Sequence, residues 1–288
     1  MASKPGHINP SAKVDLSLDL EAVHKLLVSF IREETGKINF HRVVIGVSGG
    51  VDSALSSFLA VDALGRENVV AYIMPYKSSS PDSITDGLAV CNALKIEHHI
   101  IDITPMVDTY FEKIPDADLL RRGNKMARER MSILYDQSVP QNALVLGTSN
   151  KSELLLGYST LFGDMACALN PIGDLYKTQV FELAHDLNLP ENVQKKLPSA
   201  DLWEGQTDEA ELGFTYFDVD EILFLLVDSR YKPKEVIQMG YDPKFVGRVT
   251  EMIKHSQYKR TVPIIAKLSH RTIERISVIS ATGENKHF

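Results

Sequence analysis

The segment VVIGVSGGVDS spans residues 43–53 and changes character halfway along. Its first half is a short, continuous run of mostly β-branched apolar residues, which is typical of a buried strand in a parallel sheet. Its second half is a glycine-rich turn, and helical periodicity follows over residues 54–64. Strand, turn and helix in this order predict a binding loop at the carboxyl end of a parallel strand.

The turn itself has the residue types that a phosphate-binding loop needs. Glycines permit positive φ angles and let the backbone approach a ligand closely. Amides at a helix N-terminus point toward an anion, and the positive end of the helix dipole lies there. Serine hydroxyls supply further donors. The residues predicted to bind phosphate oxygens at this loop are Gly46, Ser48, Gly49, Gly50 and Ser53.

Two features separate this loop from other phosphate loops. It lacks the GxxxxGK[ST] lysine and it lacks GxGxxG, so neither the usual kinase or GTPase loop nor a dinucleotide turn is favoured. It also places a carboxylate, Asp52, among phosphate donors. That charge repels phosphate unless a divalent cation lies between them, and Mg²⁺ takes carboxylates together with phosphate oxygens. Asp52 is therefore a predicted Mg²⁺ ligand; the alternative is an aspartate that caps the helix.

The rest of the first half alternates between strand and helix patterns. Strands are predicted at 43–47, 69–74, 99–103 and 143–146, and helices at 20–31 (with Gly36 as a stop), 54–64, 84–94 and 119–135. Loops are predicted from Thr148 to a helix at 177–187, then a polar loop over 198–213, with helices in most of the remainder. This order predicts the α/β class, a doubly wound parallel sheet with flanking helices.

Composition narrows the function classes. The 288 residues carry a net charge of −7, which disfavours nonspecific nucleic-acid binding. Cys91 and Cys167 form neither a CxxC pair nor a metal cluster, so buried free thiols are expected. No signal peptide and no membrane-length apolar run is found, so a cytoplasmic protein without nucleic-acid or membrane partners is expected.

The string SGGVDS after a strand resembles the loop of the ATP-pyrophosphatase superfamily, which is Rossmann-like and related to the adenine nucleotide alpha hydrolases. Further motifs resemble the NAD synthetase family: GTSNKSE at 147–153, FGD at 162–164, NPIG at 170–173, PSADL at 198–202 and DE at 208–209. The resemblance covers residues 20–265. It implies ATP-dependent amidation of deamido-NAD to NAD with ammonia, through an adenylated carboxylate, with release of AMP and pyrophosphate.

The resemblance also implies roles for single residues. Glu153 is the second Mg²⁺ carboxylate, Thr148 and Ser199 contact ATP, and Lys177 contacts the ATP phosphates, where a cation offsets charge on the departing pyrophosphate. Met74, at the end of the second strand, is well placed to hold adenine. The alternatives are a solvated charge for Glu153, a strand-end cap for Thr148 and an exposed helix-start lysine for Lys177.

Three further residues belong to the other substrates. By resemblance, Arg128 and Lys259 contact deamido-NAD, and Asp164 receives ammonium and helps to remove its proton, since ammonium has no lone pair with which to attack. Their alternatives are a surface charge for Arg128 and a loop-capping aspartate for Asp164. The chain departs from many bacterial members, which have lysine, aspartate and histidine where Leu161, Ala168 and Tyr258 stand.

The resemblance further implies a homodimer, with deamido-NAD held at the subunit contact. Residues 16–275 are predicted to form one domain between tails at 1–15 and 276–288. The segment before Val43 is too short for an additional amidase domain, so free ammonia is the expected nitrogen source. Two rivals stay open: another ATP-pyrophosphatase, such as a tRNA-modifying enzyme or the synthetase part of GMP synthase, and a non-catalytic nucleotide sensor.

Overall fold

The computed structural model describes residues 14–199, 201–203, 205–261 and 266. The predicted tails, 1–15 and 276–288, lie outside these residues apart from Val14 and Asp15. The elements in chain order are α1 (Leu20–Lys37), β1 (Arg42–Gly46), α2 (Val51–Leu64), β2 (Val69–Ile73), α3 (Pro81–Leu94), β3 (Glu97–Ile100), α4 (Thr104–Phe111), α5 (Leu119–Ser138), β4 (Ala143–Leu146), α6 (Lys151–Leu156), α7 (Lys177–Asp186), α8 (Glu191–Lys195), α9 (Asp208–Leu212), α10 (Tyr216–Leu223), α11 (Pro233–Gln238) and α12 (Pro243–Ser256).

Within the described residues, four parallel strands form a sheet in the order β3-β2-β1-β4. The chain runs outward from β1 through β2 to β3, then crosses back so that β4 pairs with the other side of β1. The strand order therefore reverses between β1 and β4. In open α/β sheets, ligands bind at the carboxyl ends of the strands at such a reversal.

Helices cover both faces of the sheet, which confirms the predicted doubly wound α/β class. Alternate residues of β1 separate the two layers: Val43 and Ile45 pack with α1, α2, α3 and α7, whereas Val44 packs with α4 and α5. β1 and β2 are buried on both sides, which explains their continuous apolar sequence.

A further apolar cluster joins α6 to the helices that follow α9. Tyr216, Ile222, Val236 and Val249 are among its buried members, and Leu155 and Leu156 of α6 complete it. A π-helical turn, Phe224–Asp228, continues α10. The C-terminal helices thus pack on α6, the short helix that directly follows the carboxyl end of β4.

The structure differs from the sequence prediction most clearly at β3, α4, α6 and α9. β3 lies at Glu97–Ile100 rather than 99–103, because its pairing with β2 begins at Glu97 and ends where Ile100 faces Ile73, the last residue of β2. No helix was predicted at α4. α6 was expected to be loop; its six residues are too few to show helical periodicity, but Asn150 caps its start and Gly157 its end. The loop 198–213 contains α9.

No helix within the described ranges is long and apolar enough to cross a membrane.

Candidate active site

Two loops meet at the carboxyl edge of the sheet where the strand order reverses. The first follows β1 and contains residues 47–50, and the second follows β4 and contains residues 147–150. Because β1 and β4 are neighbours, the predicted phosphate loop and the predicted residue Thr148 lie at adjacent strand ends. The sequence placed these segments 100 residues apart, and the topology brings them together.

The phosphate loop is held by its own serines. The Ser53 hydroxyl accepts from the backbone N–H of Ser48 at 3.2 Å and donates to the carbonyl of Gly50 at 3.0 Å. The Ser48 hydroxyl in turn accepts from the N–H of Gly50 at 3.3 Å. Gly50 is the N-cap of α2 and makes no side-chain cap bond, so the first amides of this helix face outward. This arrangement suits an anion.

Gly49 has no room for a side chain. Its φ angle is +77°, and a Cβ there would come within 2.6 Å of the Ser83 carbonyl oxygen and 2.8 Å of the Asp86 Cβ. The loop therefore lies directly against α3.

Replacing Gly49 by alanine is expected to weaken nucleotide binding and to lower the free energy of unfolding by about 1–3 kcal/mol, because the strain adds to the clash. Gly205 is a matched control, since its φ is +74° but nothing lies within 4 Å of the added Cβ. ATP titration calorimetry and thermal melts of both variants measure the effect. Equal losses in the two variants contradict the proposed close contact with α3.

A buried lysine joins two carboxylates at the centre of the site. Lys177, the first residue of α7, has 2% of its surface exposed. Its ammonium donates to the carboxylate of Asp52 and, at 3.2 Å, to Oε1 of Glu153. Asp52 comes from α2, Glu153 from α6 and Lys177 from α7. The structure thus brings together three residues that the sequence singled out separately.

The charges of these groups depend on one another. Burial lowers the pKa of a lysine, but the negative charges of Asp52 and Glu153 outweigh burial and raise the pKa of Lys177. Burial raises the pKa of Glu153, and the charge of Asp52 adds to this rise while Lys177 opposes it. The ammonium of Lys177 therefore stays charged.

Sequence reasoning assigned no role to several residues of this cluster. Asn150 donates to Oδ1 of Asp52 at 2.8 Å, and the same side chain caps α6 by accepting from the N–H of Glu153. The Tyr216 ring lies 5.3 Å from the Lys177 ammonium, and its hydroxyl donates to Asp208. Asn150 was within the GTSNKSE motif, so its position after the strand could have identified it.

A second group of predicted residues surrounds the loop 157–164. Asp164 accepts from the N–H of Thr160 at 2.7 Å and faces the Ser149 hydroxyl at 3.5 Å. Burial raises the pKa of Asp164, whereas these hydrogen bonds and the charge of Lys259 lower it. Ser149 and Asn150 are consecutive, so Asp164 and Asp52 both approach the end of β4.

Lys259 and Arg128 contact the same loop from outside. The Lys259 ammonium donates to the carbonyls of Gly157 and Ser159, each at 2.8 Å. Arg128 donates to the carbonyl of Leu161 at 3.0 Å, and its side chain is largely exposed.

The other predicted ATP residues lie around the sheet edge. Gly46 ends β1, and the ideal Cβ position on it lies 3.3 Å from the side chain of Met74. Ser199 is not joined to the charged cluster by any described hydrogen bond; its hydroxyl donates to the Gln206 carbonyl. A further cation was missed: Arg130 donates to the Met74 carbonyl at 2.9 Å, and burial lowers its pKa.

A parallel sheet with a lysine-free phosphate loop and a carboxylate pair at its reversal point defines a nucleotide-binding fold of the ATP-pyrophosphatase class. The model of the NAD synthase family matches residues 23–263. The chain belongs to the NAD synthase family. This confirms the family, the enzyme class (a ligase that forms a carbon–nitrogen bond) and the ammonia-dependent synthesis of NAD that the motifs predicted.

Individual relatives agree with this assignment. The NH3-dependent NAD+ synthetase of Trichlorobacter lovleyi is 52% identical over 260 residues, which are 90% of this chain and 95% of the relative. The solved NH3-dependent NAD synthetase from Campylobacter jejuni is 38% identical with a TM-score of 0.75, covering 87% of this chain and 100% of its own. The NMN synthetase from Francisella tularensis is 33% identical with a TM-score of 0.78, covering 87% and 99%.

Proposed function

We propose that this chain performs the amidation with the residues of the two clusters, the phosphate loop holding ATP and the loop 157–164 adjoining the nicotinate carboxylate of deamido-NAD. The observation that carries the proposal is the contact of Asp52, Glu153 and Lys177 at the sheet reversal. A nucleotide sensor has no need for a buried lysine between two part-buried carboxylates, a group of charges that is costly to desolvate.

Lys177 is proposed to act on the leaving group. In the first half-reaction a carboxylate oxygen of deamido-NAD bonds to the α-phosphorus of ATP, and the bond between the α-phosphorus and its bridging oxygen to the β-phosphate breaks. Negative charge accumulates on pyrophosphate as it departs. A cation held in a dry site, with its position fixed beforehand, stabilises that charge more than it stabilises bound ATP. The raised pKa of Lys177 keeps the side chain in the required charged form.

The carboxylates fit the Mg²⁺ that the sequence predicted. Asp52 and Glu153 reach the same ammonium, so their carboxylate groups lie close together. The described residues contain no group of three or more His, Cys, Asp or Glu arranged to hold a metal. Two carboxylates plus phosphate oxygens and waters suit Mg²⁺. When bound, the ion would neutralise phosphate charge.

Asp164 is proposed to prepare the nucleophile for the second half-reaction. A partly desolvated carboxylate binds ammonium by charge and accepts one of its protons, which frees the lone pair. Ammonia then bonds to the acyl carbon, AMP leaves with the bonding pair, and the nitrogen loses one further proton. Arg128 and Lys259, which contact the same loop, are proposed to hold the phosphates or the carboxylate of the dinucleotide.

The assay that tests the proposal supplies ATP, Mg²⁺, ammonium and deamido-NAD and follows NAD, AMP and pyrophosphate. Equal amounts of the three products are expected. A parallel reaction replaces deamido-NAD with nicotinic acid mononucleotide, because the Francisella neighbour is an NMN synthetase. Faster turnover of the mononucleotide would overturn the dinucleotide assignment, and formation of neither amide would overturn the proposed function.

Two parts of the proposal concern the whole protein. We propose a homodimer with deamido-NAD at the subunit contact, and α1 is compatible with this because Leu26 is 65% exposed on it. Sedimentation of a fully active monomer contradicts the dimer. The cytoplasmic location stays a prediction from the sequence.

A further inference from the structure

The residues next to Glu153 and Lys177 in the chain are hydrogen-bonded to α10, the helix whose first residue, Tyr216, lies beside the Lys177 ammonium. Asp220 of α10 is fully buried. Its Oδ1 accepts from the Ser152 hydroxyl at 2.6 Å, and its Oδ2 accepts from both the N–H and the hydroxyl of Thr178 at 2.9 Å. Ser152 precedes Glu153, and Thr178 follows Lys177. One carboxylate thus holds the start of α6 and the start of α7.

Ser152 links Asp220 to Lys177 through two hydrogen bonds. Its hydroxyl donates to Asp220 and accepts from the backbone N–H of Lys177 at 2.9 Å. The first two amides of α7 are therefore satisfied by Ser152 and Asp220 rather than by a cap within the helix. An anion at this position is also favoured by the helix dipole. Any shift of α10 is transmitted to the backbone that carries the Lys177 side chain.

Asp228 is a second carboxylate that accepts hydrogen bonds from α6 and from the residue before α7. Asp228 accepts from the Lys151 ammonium at 2.8 Å and from the Tyr176 hydroxyl at 2.8 Å. Eight residues along a regular α-helix end about 80° from the starting face. The π-helical turn Phe224–Asp228 adds extra residues to the turn, which brings Asp228 back to the side of Asp220. Both carboxylates consequently face α6 and α7.

We infer that Asp220, supported by Asp228, is a positioning residue that sets α6 against α7 and so fixes the contact between the Glu153 carboxylate and the Lys177 ammonium. Glu153 and Lys177 come from separate helices, and the direct contact between them is a single hydrogen bond at 3.2 Å. Asp220 accepts three donors from the same two helices. The inference rests on the roles proposed above for Lys177 and Glu153.

Asn is a sharp replacement because it keeps the shape of Asp220 and removes one acceptor. In either orientation of the amide, its NH2 group meets a donor that the carboxylate accepts now, either Ser152 or Thr178. Glu221→Gln is the matched control. Glu221 lies on the same helix, is 4% exposed and accepts from the Tyr241 hydroxyl at 2.8 Å, away from α6 and α7.

For Asp220→Asn we expect kcat to fall about 10- to 100-fold, with the KM for ATP and for deamido-NAD changed by less than about threefold. Glu221→Gln should lose comparable thermal stability and keep its kcat. ATP binding by calorimetry supplies a readout independent of turnover. Ser152→Ala should also lower kcat. Its effect should not add to that of Asp220→Asn in the double variant, because both substitutions break the same hydrogen-bonded connection between Ser152 and Asp220.

The result that overturns the inference is a kcat for Asp220→Asn equal to that of Glu221→Gln, measured well below both melting temperatures. Additive effects of Ser152→Ala and Asp220→Asn overturn it as well. If Asp220→Asn does not fold, Asp228→Asn replaces it, since that side chain is partly exposed and a smaller loss of kcat is expected. The wild-type assay separates failure of this inference from failure of the proposed function, because the wild-type protein still makes NAD when only the inference fails.

Discussion

Replacing Lys177 by methionine is expected to lower the rate of NAD formation by about 100- to 1,000-fold, the usual cost of removing one fixed group that stabilises transition-state charge. Methionine preserves much of the volume of the buried stem, so the change removes mainly the charge. The rate of pyrophosphate release should fall equally, because Lys177 is proposed to act before ammonia. Single-turnover measurement of pyrophosphate and NAD checks both statements.

Lys125→Met is the matched control for this variant. Lys125 also pairs with a carboxylate, that of Glu129, but its side chain is 29% exposed and the pair lies within α5. The control should keep full activity. A Lys177→Met enzyme that is folded and retains more than about a tenth of the wild-type rate contradicts the role given to the lysine.

The Lys177→Met substitution should also change how the free energy of unfolding depends on pH. Without Lys177, Asp52 and Glu153 remain close together with no cation between them, and breaking a buried ion pair costs about 3–5 kcal/mol. The pKa of Glu153 is already raised in the folded state by burial and by Asp52. The folded protein therefore binds this proton more tightly than the unfolded chain does. Stability should recover as pH falls from about 8 to about 5, and urea denaturation at both pH values measures this.

The parts of the site that sequence reasoning predicted are those encoded locally. The apolar run of β1, the glycines of the loop and the start of α2 are consecutive, so the pattern itself specifies strand, turn and helix. The resemblance added Glu153 and Lys177, and the order of strands explains why they meet Asp52. Parallel strands must place their carboxyl ends at one edge.

The parts that the sequence did not indicate depend on distant contacts. Asp220 is 68 residues from Ser152 in the chain, and Arg130 is 56 residues from the Met74 carbonyl that it contacts. An aspartate in an amphipathic helix has no local mark that distinguishes a buried acceptor from a solvated charge. The helix α6 was not predicted for a different reason. Its six residues make too few turns to show helical periodicity, and only its capping residues identify it.

Replacing Asp164 by asparagine should separate the two half-reactions. Formation of pyrophosphate from ATP and deamido-NAD should change by less than about threefold, while NAD formation at low ammonium should fall by about 100-fold or more. The reason is that asparagine keeps the size of the side chain but neither attracts ammonium by charge nor accepts its proton. Asp102→Asn is the control, because Asp102 is exposed and its carboxylate accepts only a local hydrogen bond, from the N–H of Thr104.

The pH dependence of NAD formation tests the role of Asp164 most directly. Asp164 must be ionised to bind ammonium, and burial raises its pKa above the ordinary value for aspartate. The rate of wild-type NAD formation should therefore increase with pH on the acid side of the profile. This acid limb should lie at higher pH than an exposed aspartate would give. In Asp164→Asn that limb should disappear, while the dependence on ammonia deprotonation at higher pH persists. If the variant instead loses ATP binding and pyrophosphate release together, Asp164 shapes the nucleotide site and is not the ammonium acceptor.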